Sequence, residues 1–371
     1  MDPLLDALEA LWGLDGGLPR GGPGIAWIER PHGFRVAEPR PQGLSGEGGW
    51  AVYLVRRVNM DSRAAGRLLA RLLGARGYRL QGLKDACSTA YQYIAVRSPE
   101  RTPGRLEHGR LSAWLAGRLR EPPRPGGHGF NIFSLDVSYT GDPAGLCRRL
   151  EGARWIPGFY GPQRFGVERP NTHYTGLLRV AGSLGGLVRE YKLRYPLEEA
   201  RPPGSYERAA IEAAASRASP TAAGAPGPAR LHIEALQAYL FNKTLSRLLR
   251  SGHTPRELAE HWTTLHCPHG PVKAPAARLP SGRLASARTT WARALRRTME
   301  AEGAPPTLWA GLPARSSLRP LAYPVCSLRC RPTPTGAIRV CTVLPAGAYA
   351  TILLRSAARV DWLRYARCGS R

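Results

Sequence analysis

The stretch Phe133-Ser-Leu-Asp-Val-Ser-Tyr-Thr140 alternates strictly between apolar and polar side chains. Because successive side chains of a strand point to opposite faces, the apolar set would lie on one face and the polar set on the other. This pattern predicts a strand in a sheet with one buried and one solvated face. Asp142-Pro143 follows closely and predicts the start of a helix, with aspartate as its cap and proline in its first turn.

A second strand and helix are predicted upstream. Trp50–Val55 is apolar on both faces, which indicates a buried strand. Asn59-Met-Asp61 provides a helix cap, and the apolar residues between 64 and 73 recur at helical spacing. Tyr91–Val96 predicts a further strand. The first part of the chain is therefore expected to form a sheet with helices.

The middle of the chain has a different character. Residues 201–230 are biased to Ala, Pro, Gly and Ser and read as a linker or loose excursion. Leu231–Leu249 predicts a firm helix, and 251–313 shows little pattern. Strand-like order returns at Ala337–Leu344, followed by a helical stretch that ends near Val360. Sheet-rich ends around a helical, irregular middle predict an insertion into a mixed α/β domain.

Charge narrows the choice of partners. The 371 residues include 53 Lys+Arg against 27 Asp+Glu, a net charge of +26. Such a surplus in a folded chain points first to nucleic acid, although a genome biased to arginine codons is the alternative. No apolar run is long enough for a membrane-spanning helix, and the acidic N-terminal segment does not resemble a secretory signal. We therefore expect a cytoplasmic protein.

The cysteine pattern gives no strong signal. The chain has 7 cysteines, an odd number, and nothing suggests secretion, so we expect no disulfide framework. Cys326 and Cys330, with Cys341 nearby, form only a weak zinc pattern. We expect no metal site.

Several chemistries are disfavoured by missing motifs. The chain lacks a GxxxxGK[ST] phosphate loop, and His232-Ile-Glu234 is not followed by a deaminase-type cysteine pair. A two-metal nuclease would need several converging carboxylates, and aspartate is scarce in this chain. Asp61, Asp136 and Asp142 have structural explanations, whereas Asp85 has none. Asp85 is thus either a catalytic carboxylate or a plain turn residue.

Six segments carry a family resemblance. Gly82-Leu-Lys-Asp85, with Thr89 and Gln92, resembles the catalytic motif of the TruD family of tRNA pseudouridine synthases. The other segments match the family's motifs in the same order: Gly33-Phe-Arg-Val-Ala-Glu38, Gly46-Glu-Gly48 with Leu54-Val-Arg-Arg57 and Asn59-Met-Asp61, Ile156-Pro-Gly-Phe-Tyr-Gly-Pro-Gln-Arg-Phe-Gly166, Gln237-Ala-Tyr-Leu-Phe-Asn242, and Leu344-Pro-Ala-Gly-Ala-Tyr-Ala-Thr351.

The resemblance implies a bilobed α+β fold. A catalytic domain with a mixed or antiparallel sheet would comprise residues 1–170 and 314–371, and a largely helical TruD-type domain would be inserted at 171–313. The implied activity is isomerisation of a tRNA uridine, normally at position 13, without metal or cofactor. The expected partner is tRNA, with no membrane association and no obligatory protein partner.

The resemblance also implies residue roles. Asp85 matches the nucleophile, and the charge of the neighbouring Lys84 would keep it ionised. Tyr160 matches the aromatic that stacks on the flipped base, while Phe34 and Tyr349 match two other aromatic walls. The motif arginines would line the tRNA cleft: Arg56, Arg57, Arg154 and Arg164.

Four positions depart from the family pattern, among them Gly33 in place of aspartate and Ser356 in place of glutamate. Gly158 stands where the family has asparagine, and Ile28 stands where it has lysine, with Arg30 close by. The first rival is therefore a tRNA-binding or tRNA-folding protein that keeps the scaffold without efficient catalysis. A second rival, an RNA nuclease or methyltransferase, lacks a carboxylate cluster or a cofactor loop.

Overall fold

The computed structural model describes residues 3–14, 22–166, 172–181, 227–282, 284, 288–309, 317–334, 336–366 and 368. The chain divides into two compact units. The sheet unit comprises 21–156, 264–272 and 324–371, and the helical unit comprises 1–20, 157–263 and 273–323. The insertion boundaries at 171 and 313 stay a prediction. No helix in the described ranges is long and apolar enough to cross a bilayer.

The strands, in chain order, are β1 (Gly22–Ile28), β2 (Phe34–Ala37), β3 (Trp50–Val58), β4 (Tyr78–Leu80), β5 (Thr89–Arg97), β6 (Arg105–His108), β7 (Leu111–Leu119), β8 (Phe130–Tyr139), β9 (Trp155–Pro157), β10 (His261–Cys267), β11 (Gly270–Arg278), β12 (Leu318–Pro320), β13 (Ala322–Pro324), β14 (Ser327–Pro332), β15 (Ile338–Pro345) and β16 (Ala358–Val360). The α-helices are α1 (Pro3–Leu11), α2 (Ser62–Leu72), α3 (Pro143–Gly152), α4 (Thr172–Ala181), α5 (Gly227–Arg250), α6 (Thr290–Ala301), α7 (Ala350–Ala357) and α8 (Trp362–Ala366).

The sheet unit is built on an 11-stranded mixed sheet with the order β14-β15-β8-β2-β5-β3-β7-β6. Beside this path, β1 pairs with β8 and β16, and β4 pairs with β5. Most neighbours are antiparallel, but β2 runs parallel to β5 and β1 runs parallel to β16. The mixed sheet with helices confirms the predicted α+β class.

Local patterns predicted the elements of this sheet well. In β8 the side chains of Phe133, Leu135 and Val137 are buried, which confirms the alternation. Asp61 and Asp142 cap α2 and α3, and each side chain accepts hydrogen bonds from two backbone N–H groups of its first turn. Short local patterns therefore determine which face of β8 is buried and where α2 and α3 begin.

The helical unit is organised around α5, whose buried face includes Leu236, Leu240 and Phe241. Its neighbour α6 places Trp291 against Phe241, with ring centroids 5.0 Å apart. The expectation that 251–313 lacks regular structure is wrong, because β10, β11 and α6 lie in that range. Most of the predicted linker at 201–230 lies outside the described residues.

The expectation of no disulfide framework is also wrong. The structure has three disulfides: Cys87–Cys368, Cys147–Cys330 and Cys267–Cys326. Their sequence separations run from 59 to 281 residues, so no local spacing announces them. Cys326 and Cys330 belong to different disulfides, and neither is available as a thiolate ligand for zinc.

Candidate active site

Asp85 lies on the loop between β4 and β5, in the sheet unit. Its side chain is 12% exposed, so most of the carboxylate is removed from water. The backbone N–H of Cys87 donates to Oδ1 over 3.0 Å, and the hydroxyl of Tyr365 donates to Oδ2 over 3.2 Å. These two hydrogen bonds hold the Asp85 carboxylate in a fixed orientation. The prediction singled out the residue that the structure surrounds with donors.

Arg30 supplies the positive charge beside Asp85. Its Nη2 lies 3.0 Å from both carboxylate oxygens, and its side chain is almost fully buried. The remaining donors are used as well, since Nε binds the carbonyl of Cys87 and Nη1 binds the carbonyl of Tyr365. A planar guanidinium can serve three acceptors at once, which an ammonium group cannot do in one plane. Arg30 therefore fixes the Asp85 loop and Asp85 itself.

Lys84 is ion-paired with a carboxylate other than Asp85. Its Nζ is 2.6 Å from Oε1 of Glu38, and both side chains are buried. Burial lowers the pKa of Lys84, and the Glu38 carboxylate counters that lowering. Adjacent residues of an extended loop point in different directions, and here Lys84 points to Glu38 while Arg30 occupies the place beside Asp85. The cation beside Asp85 is therefore Arg30, two residues after Ile28.

Arg57 is also placed differently from its prediction as a tRNA contact. Its side chain has no exposed surface. Its donors bind the side-chain oxygens of Gln92 and Ser62 and the backbone carbonyls of Met60, Lys84 and Asp85. Burial lowers the pKa of Arg57 to about 10. Because this value is still well above neutral pH, the guanidinium remains charged. Arg57 holds the backbone of the Asp85 loop and cannot reach a phosphate in this arrangement.

A neutral histidine borders the same loop. His128 is buried, and that burial, with a further contribution from the charge of Lys84, lowers its pKa to about 4. A Cβ added to Gly82 would meet Cε1 of His128 at 2.9 Å and Nζ of Lys84 at 3.1 Å. Glycine in the Gly82-Leu-Lys-Asp85 motif therefore allows both side chains to approach the loop backbone.

The two aromatic residues expected as walls in the sheet unit differ in exposure. Phe34 is buried, and its ring meets Phe133 and Tyr365 edge-on, with centroids 6.1 and 6.3 Å away. The Phe34 ring therefore packs against the ring of Tyr365. Tyr349 is half-buried and precedes the first residue of α7, where its backbone carbonyl accepts from Ile352.

Tyr160 and Arg164 belong to the helical unit. The backbone of Tyr160 forms two hydrogen bonds with the side chain of Asn242, and its half-buried ring lies 3.4 Å from the guanidinium carbon of Arg319. Arg164 is ion-paired with Glu234 at 2.7 Å. The Asn242 contact explains why the Gln237–Asn242 segment of α5 belongs to the same motif set.

Gly158 is explained by close backbone packing. A Cβ at this position would lie 2.0 Å from the carbonyl oxygen of Pro320, which is a severe overlap. The Gly158 N–H donates to the carbonyl of Leu321, and its own carbonyl accepts from Nε of Arg319. Glycine rather than asparagine at position 158 therefore allows the backbone to pack closely against Pro320 and Arg319. Arg319 also binds the carbonyl of Phe159.

Sequence reasoning missed Tyr365 altogether and named Arg30 only as a nearby cation. Both are far from Asp85 in the chain: Arg30 is 55 residues away and Tyr365 is 280 residues away. The departure at Ile28 was the one available signal for Arg30, because a lost cation beside a nucleophile calls for another. Nothing in the local sequence around Tyr365 indicates its role.

Comparisons with known proteins identify the family. The family model described as tRNA pseudouridine synthase D (TruD) matches residues 22–211, just over half of the chain. The chain belongs to the TruD family. A relative called probable tRNA pseudouridine synthase D from Pyrobaculum aerophilum is 27% identical over 356 residues, with 83% of each chain covered. The tRNA pseudouridine synthase D of Anaeromyxobacter dehalogenans is 35% identical over 158 residues, covering 40% of this chain and 44% of its own length.

A solved structure shows the same fold. The crystal structure of the putative tRNA pseudouridine synthase D (TruD) from Methanosarcina mazei superposes with a TM-score of 0.60 at 18% identity. The match covers 96% of this chain and 99% of the other. This similarity supports the α+β fold of the described residues.

Proposed function

We propose that this TruD-family enzyme converts a uridine of tRNA, at position 13, to pseudouridine with Asp85 as nucleophile. One observation carries the assignment of the residue. Asp85 is a mostly buried carboxylate held by the guanidinium of Arg30 and the N–H of Cys87. A carboxylate held in a fixed position and partly removed from water is suited to nucleophilic attack.

The reaction balances without a co-reactant. An Asp85 oxygen bonds to C1′ of the flipped nucleotide as the N1–C1′ bond breaks, and the electron pair of that bond stays on N1 of uracil. The base then rotates, C5 bonds to C1′, and the Asp85 oxygen leaves. Loss of the C5 proton and gain of a proton at N1 complete the isomerisation. Substrate and product have the same composition, so neither an oxidant nor water is consumed.

The helical unit would contribute to base recognition through Tyr160. A flipped base loses its stacking energy, and an aromatic ring restores it. The ring of Tyr160 is fixed by Arg319 and by the backbone contacts to Asn242, yet part of it stays exposed. We propose that residues 171–313 act as the inserted domain and that exposed arginines such as Arg154 bind tRNA phosphates.

A cytoplasmic location completes the proposal, since tRNA is a cytoplasmic substrate.

The test uses unmodified tRNA transcripts with uridine or cytidine at position 13. Pseudouridine is mapped by carbodiimide modification and primer extension after incubation with the parent chain, with Asp85→Asn or with Asp136→Asn. Asp136 is the matched control because it is an ion-paired aspartate on β8, bound by Arg35 and Arg339.

We expect product at position 13 with the parent and Asp136→Asn, and at least about a 1,000-fold loss with Asp85→Asn. Product from Asp85→Asn at the parental rate would remove the nucleophile assignment. Tight tRNA binding by the parent without any product would favour the non-catalytic binding protein.

A further inference from the structure

The C-terminal segment runs from β1 to the Asp85 loop. Its strand β16 pairs in parallel with β1, with Ala26 opposite Val360. The N–H of Asp361 then donates to the carbonyl of Ala26, and Trp362 buries its ring at the start of α8. This course delivers Tyr365 to the carboxylate of Asp85.

Tyr365 touches both charged groups of the centre. Its hydroxyl donates to Oδ2 of Asp85, its ring lies 4.1 Å below the guanidinium carbon of Arg30, and its carbonyl accepts from Nη1 of Arg30 over 2.6 Å. The side chain is 1% exposed, so it cannot itself contact a substrate base. Its contacts hold the Asp85 carboxylate and the Arg30 guanidinium in a fixed relative position.

A covalent bond closes the same assembly. Cys87 stands two residues after Asp85, and its sulfur is bonded to that of Cys368. The N–H of Cys87 binds Oδ1 of Asp85, and its carbonyl accepts from Nε of Arg30. One residue therefore ties the nucleophile, its cation and the C-terminal segment together.

We propose that residues 358–366 with Cys368 form a fixed part of the catalytic centre, in which Tyr365 positions Asp85 and Arg30 and the Cys87–Cys368 disulfide holds Tyr365 in place. This inference rests on the proposed function for its kinetic test. It makes activity depend on oxidation, because reduction of the disulfide by a dithiol yields two thiols and the cyclic disulfide of the reductant, and releases the segment.

The kinetic test compares single-turnover rates of the parent, Tyr365→Phe and Tyr365→Leu. Tyr365→Phe keeps the ring under Arg30 and removes the hydroxyl, so we expect about a 10-fold slower step with tRNA affinity unchanged and the acid limb of the rate–pH profile moved to higher pH. Tyr365→Leu also removes the ring, and we expect about a 100-fold loss. Parental rates in both variants, or a loss confined to KM, would overturn the positioning role.

The disulfide test pairs Cys368→Ser with Cys330→Ser, which breaks the Cys147–Cys330 bond in the same unit. We expect Cys368→Ser to be about 10-fold slower and insensitive to dithiothreitol, and Cys330→Ser to keep the parental rate and the parental sensitivity to dithiothreitol. Equal effects of the reductant on the parent and Cys368→Ser would contradict the proposal.

Two measurements decide the inference even if no pseudouridine is formed, an outcome that would count against the proposed function alone. Mass spectrometry of unreduced peptides should find Cys87 linked to Cys368. Hydrogen–deuterium exchange of residues 81–88 should rise in Cys368→Ser and Tyr365→Leu and stay parental in Cys330→Ser. An unlinked Cys87, or unchanged exchange in both site variants, would refute the fixed C-terminal segment.

Discussion

The sheet unit and the helical unit each hold an arginine over a tyrosine ring. In the helical unit, Arg319 binds the carbonyls of Gly158 and Phe159 and lies 3.4 Å from the ring centroid of Tyr160. In both units the guanidinium therefore fixes backbone and aromatic ring together, a combination that suits its planar donors and its weak hydration.

The two assemblies differ in what else they hold. Arg30 also binds the carboxylate of Asp85, and its tyrosine, Tyr365, is buried. The ring of Tyr160 keeps part of its surface exposed. A buried ring beside a carboxylate is suited to holding charged groups in place, whereas a half-buried ring still offers part of its surface for stacking. We propose that the same pair of residue types serves these two different tasks.

The largest expected difference between the assemblies follows from Arg30→Gln and Arg319→Gln. Removing Arg30 leaves Asp85 mostly buried without its cation, and we expect the single-turnover rate to fall by about 100- to 1,000-fold with tRNA affinity nearly unchanged. Arg319→Gln should cost about 10-fold, chiefly in substrate binding. Equal losses in the chemical step would show that the two arginines do not have separate tasks.

A smaller effect is expected from the half-buried ring of Tyr160 in the helical unit. Tyr160→Ala should lower kcat/KM by about 10- to 100-fold, in line with roughly 1–3 kcal/mol of base stacking. Tyr160→Phe keeps the ring face and should stay within about threefold of the parent. The pair is measured on the position-13 transcript, and a phenylalanine variant as poor as alanine would refute stacking as the role of Tyr160.

The smallest effect concerns stability around the Asp85 loop. The pKa of His128 is lowered to about 4 by burial, against 6.5 in the unfolded chain. The folded protein disfavours the charged form of His128. The neutral histidine therefore contributes fully to the free energy of unfolding above pH 6.5, and that contribution is lost as the pH falls toward 4. His128→Asn should reduce the fall in Tm between pH 6.5 and 4.

The control for this titration is His269→Asn, which changes an exposed histidine. It should leave the parental dependence of Tm on pH intact. An unchanged pH dependence in His128→Asn would contradict the assignment of that histidine as buried and neutral.

Local sequence was a good guide wherever the physics is local. Strand alternation in β8 and the caps Asp61 and Asp142 depend on neighbours within a few residues, and all were predicted correctly. The family motif singled out Asp85, whose role as nucleophile stays a prediction.

Sequence adjacency misled where tertiary packing decides. Lys84 is next to Asp85 in the chain but pairs with Glu38, and Arg57 looks like a phosphate contact but is buried as a support for the loop. The cation at Asp85, Arg30, lies in the loop that follows β1, and the tyrosine, Tyr365, lies on α8. Arg30 and Tyr365 come together because β1 and β16 pair in the folded sheet, and the sequence alone does not show this pairing.

The role of Asp85 in bond exchange is tested most directly with tRNA transcripts labelled with tritium at C5 of uridine. Formation of the C5–C1′ bond releases the label from the target uridine. We predict that the parent releases about one tritium per tRNA, that Asp136→Asn does the same, and that Asp85→Asn releases none while still binding tRNA. Tritium release by Asp85→Asn at the parental rate would contradict Asp85 as the nucleophile.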